Sequence, residues 1–393
     1  MGITQKNRKK ALIIFFILPI IFINFLWSNI ASASMNITGL EFIGEASLPT
    51  GLIFQKTEIG GLSGITYDRK NDLYYAISDD RGQKAPSRFY TLKIDLSKGK
   101  LDKNNISIVG VTTLLDENNQ TYPPDSTDTE GIALTNKDTV FISSEGDTRQ
   151  SINPFIKEFS LSTGKNLSTL TIPDKFLPEK NAKKGIRNNL AFESLTISPD
   201  NKSLFTASEN ALIQDGAAAK PGTGTRCRIL QYNLETNQPE KEYLYQTEPV
   251  TQRINLTGQF SSGLPDLLAL DNQGNLLSIE RSFTGIGFGI FIFQVALEKS
   301  DNISNINSLT GKDLTKIKPA QKKLLLDLRK FDFALDNLEG LTLGPKLSDG
   351  QQSLILISDN NFNGLQRTQI LAFKLKTESS LLRILRRIRI LLP

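Results

Sequence analysis

TEGIALTNKDTVFISSEGD, residues 129–147, is the stretch from which the fold can be read. An acid, Glu130, opens an apolar run, Gly131-Ile132-Ala133-Leu134. A polar turn follows, and a second apolar run ends on Ser144, Glu145 and Asp147. Two short apolar runs joined by turn-forming residues are the mark of a β-hairpin. Four other stretches repeat the pattern: LSGITYDRKNDLYYAISDD (62–80), FESLTISPDNKSLFTASEN (192–210), PDLLALDNQGNLLSIERS (265–282) and LEGLTLGPKLSDGQQSLILISDN (338–360). Taken at Ser63, Glu130, Glu193, Asp266 and Glu339, their starts lie 63 to 73 residues apart.

Each interval between hairpins holds two more strand-like runs. These are 88–96 and 106–114, then 155–161 and 167–172, then 228–234 and 242–245, then 288–296 and 322–328. Four strands per repeat is the unit of a propeller blade, so an all-β five-bladed propeller is expected, with six blades or an open sandwich as alternatives. After the fifth hairpin only 369–375 remains. The fourth strand of that blade is expected from 37–46, which would close the ring and remove the exposed sheet edges. Loops are expected at 117–128, 179–189, 213–225 and 297–320. Within the third, DGAAAKPGTG (215–224) reads as a rim loop or lid. It lacks the strand and helix that flank a phosphate-binding loop.

The ends differ from the body. Lys6, Arg8, Lys9 and Lys10 precede the apolar run 11–27, and Ala31-Ser32-Ala33 fits a leader-cleavage site, so residues 1–33 read as an export signal. An uncleaved anchor is the alternative. Residues 378–393 hold Leu381, Leu382, Leu385, Ile388 and Leu392 at helical spacing opposite Arg383, Arg386, Arg387 and Arg389. Such a basic amphipathic tail can rest on an anionic membrane, or else dock on the body or fray. Without these ends, residues 34–377 carry 38 basic and 40 acidic residues. A body so near neutrality argues against nucleic acid as a partner. Oligomeric state leaves no mark in the sequence.

The chain has no histidine and one cysteine, Cys227. Ser-His-Asp and Cys-His catalysis and His-based metal ligation are excluded. A lone Cys in an exported chain forms no internal disulfide, and here it reads as a buried thiol. Any metal must be held by oxygen, which points to Ca²⁺ or Mg²⁺.

In a hairpin the start of the first strand and the end of the second share an edge. That brings Glu130, Glu193, Asp266 and Glu339 beside Asp79, Asp80, Glu145, Glu209, Glu280 and Asp359 at one mouth of the propeller channel. Carboxylates gathered so closely raise one another's pKa, and a hard cation such as Ca²⁺ is the simplest remedy. Asp79, Asp80, Glu145, Glu209 and Asp359 are expected as metal ligands, and Glu130, Glu193 and Glu339 as the acids acting on substrate or water. Arg81 and Arg281, beside these acids, suit the oxygens of a small anionic substrate. The plainer alternative gives each acid a structural role, capping strand ends or pairing with Arg81, Arg149 and Arg281.

Gly60-Gly61-Leu62-Ser63-Gly64-Ile65, Ser78-Asp79-Asp80-Arg81-Gly82 and Asp128-Thr129-Glu130-Gly131-Ile132 resemble the phytase-like family, also called "esterase-like activity of phytase". The resemblance continues through Asn189-Leu190-Ala191-Phe192-Glu193-Ser194-Leu195, Asn337-Leu338-Glu339-Gly340-Leu341 and Ser358-Asp359-Asn360-Asn361-Phe362, covering residues 40–376. It implies an exported propeller and the hydrolysis of phosphoesters or esters, phytate among them, with Ca²⁺. A non-catalytic ligand- or protein-binding propeller with structural calcium is the alternative, because propellers host both roles.

Overall fold

The computed structural model describes residues 36–179, 183–250, 258–285 and 287–378. The expected leader, and the tail beyond Glu378, lie outside the described residues. The described chain is all-β apart from three single-turn 3-10 segments, and it forms five four-stranded antiparallel blades. Blade 1 comprises Leu62–Asp68, Leu73–Ser78, Arg88–Ile94 and Ile106–Thr113. Blade 2 comprises Thr129–Leu134, Thr139–Ser144, Phe155–Ser160 and Asn166–Thr169. Blade 3 comprises Thr196–Ile197, Ser203–Ala207, Arg226–Asn233 and Gln238–Gln246. Blade 4 comprises Ser261–Ala269, Asn275–Phe283, Phe288–Ala296 and Gln321–Asp327. Blade 5 comprises Asn337–Lys346, Gln352–Asp359 and Thr368–Thr377, with Ile37–Leu48 as its outer strand. The N-terminal strand pairs antiparallel with Thr368–Thr377 and so joins the two ends of the described chain in one sheet.

Turn chemistry sets the hairpins. In blade 4 the Asp271 carboxylate accepts from the backbone N–H of Gln273 and Asn275, while Gly274 takes φ +81°. In blade 3 Asn201 stands at φ +58°, a conformation Asn tolerates better than most residues. The strands then read as nearly continuous apolar runs because both of their faces are buried. In Leu73–Ser78, Tyr74 and Ala76 pack with Ile355 and Ile357 of blade 5, whereas Tyr75 and Ile77 pack with Ile132 and Ile142 of blade 2. Side-chain alternation thus feeds two inter-blade cores from one strand.

Innermost strands contact one another in the order 1-2-3-4-5-1. Their close approach requires small residues. A Cβ on Gly131 would lie 2.7 Å from Leu195 Cβ and 2.8 Å from the Glu193 carbonyl oxygen, and Gly64 and Gly340 meet their neighbours in the same way. The equivalent place in blade 4 holds Asp266. Its carboxylate accepts from its own neighbour Leu267 N–H (2.8 Å) and from Leu341 N–H of blade 5 (2.8 Å), and it takes a third backbone hydrogen bond from Leu195 of blade 3.

The loop expected over 215–224 supplies none of the described residues that line the acidic cavity. Asp215 is fully buried on Arg228 of blade 3, Ala219 N–H donates to Asn210, and Gly222 N–H donates to Val250. A short hairpin, Ile53–Phe54 with Thr57–Glu58, was not expected.

Candidate active site

Strand register builds the site as two rings. Leu62, Thr129, Phe192 and Leu338 lie opposite Ser78, Ser144, Ser208 and Ser358. One residue further along, the first strands present Ser63, Glu130, Glu193 and Glu339, and the second strands present Asp79, Glu145, Glu209 and Asp359. Blade 4 breaks the rule. Asp266 pairs with Ile279, as Gly64 does with Ile77 and Gly340 with Ile357, so Pro265 and Arg281 occupy the two ring positions there. Four blades bring acids to the strand-end ring, and one brings a guanidinium.

The rings surround an open cavity of about 680 Å³ lined by Asp79, Arg81, Asp128, Glu130, Glu193, Arg281, Glu339 and Asp359, among others. Glu145 and Glu209 stand behind this wall. Arg81 grips Asp128 with Nε (2.9 Å) and Nη2, reaches Asn189 (2.7 Å), and lies 3.7 Å from Asp147. Arg281 holds Glu209 at 3.0 Å, Glu339 at 3.0 Å and Asn337 at 2.7 Å. Asn337 also donates to Glu339 (2.9 Å), and Asn361 N–H caps Asp359 (2.7 Å). Glu145 accepts from Ala191 N–H of the following blade. The Asp79 and Glu130 carboxylates accept no hydrogen bond among the described residues.

Eight carboxyl groups around two guanidiniums cannot all be charged cheaply. Burial, then the Glu339 and Asp128 charges, push Asp79 up to about 8. Burial raises Glu339 to about 8 despite Arg281, and raises Asp128 to about 6 despite Arg81. Burial together with neighbouring carboxylates raises Glu130, Glu145, Glu193 and Asp359 well above the ordinary range. The guanidiniums respond oppositely: although burial works against it, the surrounding acids raise Arg281 further.

Three acids expected at the mouth are elsewhere. Both oxygens of Asp80 are taken, by the N–H groups of Gln83, Lys84 and Ala85 and by buried Arg88 at 2.7 Å, so it cannot serve as a cavity ligand. Asp79 and Asp80 are successive residues at a strand end and face opposite ways. Glu280 occupies the position of the serine row and pairs with Lys322 (2.5 Å) and Tyr245 (2.7 Å) between blades 3 and 4. Asp266 is the axial residue described above. In exchange, Asp128 joins the cavity unannounced. It stands two residues before Glu130, the spacing that puts two side chains on one face of a strand, and that was its signal.

A family model, "Phytase-like: Esterase-like activity of phytase", matches residues 57–362. The chain belongs to the phytase-like family. An "Uncharacterized secreted protein" of Arthroderma benhamiae is 28% identical over 143 residues, which cover 30% of this chain and 26% of that relative. The chain therefore spans about a quarter of the relative's length. Among solved structures, an endo-arabinase from Bacteroides thetaiotaomicron overlaps 88% of this chain and 98% of its own, at 11% identity and a TM-score of 0.41. A Dos1 propeller overlaps 80% of this chain and 68% of its own, at 9% identity and a TM-score of 0.34.

At this phytase-like site, Asp128 and Glu130 on the cavity wall and Glu145 behind it each offer an oxygen within 4.8 Å of the others. The donors are all carboxylate, the set a hard cation prefers. A divalent ion there would also supply the positive charge that the raised carboxyls lack. Cys227 takes no part. Its thiol is buried and donates to the Glu209 carbonyl at 3.0 Å, and burial raises its pKa well above the usual thiol range.

Proposed function

We propose that the carboxylate-lined cavity is the active site of an exported, calcium-dependent hydrolase of phosphoesters. One observation carries it. Three blades bring a pair of acids, blade 1 a single acid and blade 4 an arginine to the rings around one open cavity, and at its wall three carboxylates converge within ligand distance of one another. Family membership and the secreted relative support the setting. Asp128, Glu130 and Glu145 would hold the ion. Bound calcium polarises a phosphoryl oxygen and lowers the pKa of water. Arg281 and Arg81 would orient phosphate oxygens by exchanging part of their carboxylate contacts for the substrate. Asp79, whose carboxyl accepts no hydrogen bond among the described residues, is the group left to take a proton from the attacking water.

The test is metal content of the purified chain, followed by phosphate release from phytate and p-nitrophenyl phosphate with and without chelator. Calcium-loaded protein that releases no phosphate from either would sink the reading. A binding propeller with structural calcium is favoured by one feature: Arg281 bridges Glu209 of blade 3 and Glu339 of blade 5, and so ties blades together. Calcium that raises the melting temperature without turnover of any ester would select that second reading.

A further inference from the structure

The walls of the cavity bear on which phosphoester fits. Both guanidiniums are already engaged, Arg81 by Asp128 and Asn189, and Arg281 by Glu209, Glu339 and Asn337. No lysine is among the described lining residues. A ligand with several phosphates needs several cationic partners, and beyond these two engaged guanidiniums every charged group among the described lining residues is a carboxylate.

One side of the cavity is of another kind. Phe283 and Phe288 pair across adjacent strands of blade 4, with ring centroids 5.2 Å apart, and both line the cavity. Leu365, from the loop of blade 5, lines it too and is 95% exposed. Phe283 stands two residues beyond Arg281 on one strand, hence on the same face and about 7 Å along it. A phosphoryl group held by Arg281 would leave its ester substituent beside the phenylalanine pair.

We propose that the cavity takes esters carrying a single phosphoryl group and an apolar substituent, the substituent seated on Phe283 and Phe288, and that it discriminates against polyphosphates such as phytate. This rests on the hydrolase reading for turnover, while the selectivity itself can be read by binding alone.

The experiment uses the full calcium-loaded chain. Rates of phosphate release are compared for benzyl phosphate, glycerol phosphate and fructose 1,6-bisphosphate, the first two having alkyl leaving groups and differing in the ring. Calorimetric titration with benzylphosphonate, methylphosphonate and the bisphosphate gives a readout independent of turnover. Benzylphosphonate is expected to bind about tenfold tighter than methylphosphonate, equivalent to about 1.4 kcal/mol. The bisphosphate should bind more weakly than benzylphosphonate. Phe288→Ala should narrow the tenfold gap. Leu365→Ser, at an exposed site, should narrow it less and keeps the test open if the first variant fails to fold. Equal affinity for the two phosphonates, tighter binding of the bisphosphate, or binding of none would overturn the proposal. Preferred hydrolysis of the bisphosphate defeats this selectivity and spares the hydrolase reading. Selective phosphonate binding without any hydrolysis does the reverse.

Discussion

Arg281 occupies the ring position that its sister blades fill with Asp79, Glu145, Glu209 and Asp359, and its side chain is only 12% exposed. Two carboxylates and an amide converge on it, so its loss strands Glu209 and Glu339 together in a half-dry wall. Removing one partner of a buried ion pair costs about 3–5 kcal/mol, because the partner left behind keeps its desolvation penalty. Arg281→Met should therefore destabilise by about 3 kcal/mol at pH 8. The penalty should be smaller at pH 5, where the raised Glu339 carboxyl is neutral and needs no guanidinium. Urea unfolding at the two pH values checks this, and an equal loss at both would count against the pairing. Arg228 is fully buried, but it pairs with Asp215 and Glu242, and Lys175 also holds Glu242 (3.0 Å), so two cations face two acids and the charges are matched locally. Imbalance of charge, more than burial alone, separates the cavity from the other ionic clusters of the molecule.

Hairpins and blades were legible because strand alternation and turn residues act locally. The strand expected over 288–296 is observed as Phe288–Ala296, and the closing strand expected over 37–46 is observed as Ile37–Leu48. Details that depend on a single register step were not legible. The first strand of blade 4 is irregular between Gly263 and Asp266, where Pro265 carries no N–H to donate. One residue of slip moves a side chain to the opposite face, which turned an expected mouth acid into an axial one. Asp80 shows the same limit, since adjacent acids at a strand end look alike in sequence and diverge in space. Glycine at the blade contacts is testable at this scale. Gly131→Ala should destabilise by about 2 kcal/mol, because an added methyl in a packed contact forces the inner strands apart. Gly39→Ala, with nothing within 4 Å of the added carbon, is the matched control and should change little. Chemical denaturation of both variants distinguishes crowding from a general loss of backbone freedom.

Across the whole molecule the acids make stability a function of pH and, with the cavity holding calcium as proposed, of calcium as well. Asp79 and Glu339 have folded-state pKa values of about 8, above their ordinary values of 3.8 and 4.5. At neutral pH the folded chain therefore binds more protons than the unfolded one, and unfolding releases them. Stability from these groups is fully present below about pH 4 and is lost as pH rises toward 8, opposite to the usual behaviour of salt-bridged carboxylates. With chelator present, the melting temperature should fall by several degrees between pH 5.5 and pH 8.5. Calcium should reverse this trend, because the ion competes with protons for the same oxygens and binds best where they are ionised. Glu130→Gln separates the two effects. Without metal at pH 8 the variant should melt higher than the parent, since one source of like-charge repulsion is gone; with calcium it should gain less than the parent does. Scanning fluorimetry over pH, with and without calcium, reads all four conditions. A metal-free melting temperature that climbs steadily to pH 8.5 would mean that these carboxyls ionise freely, and that their gathering exerts no strain for an ion to relieve.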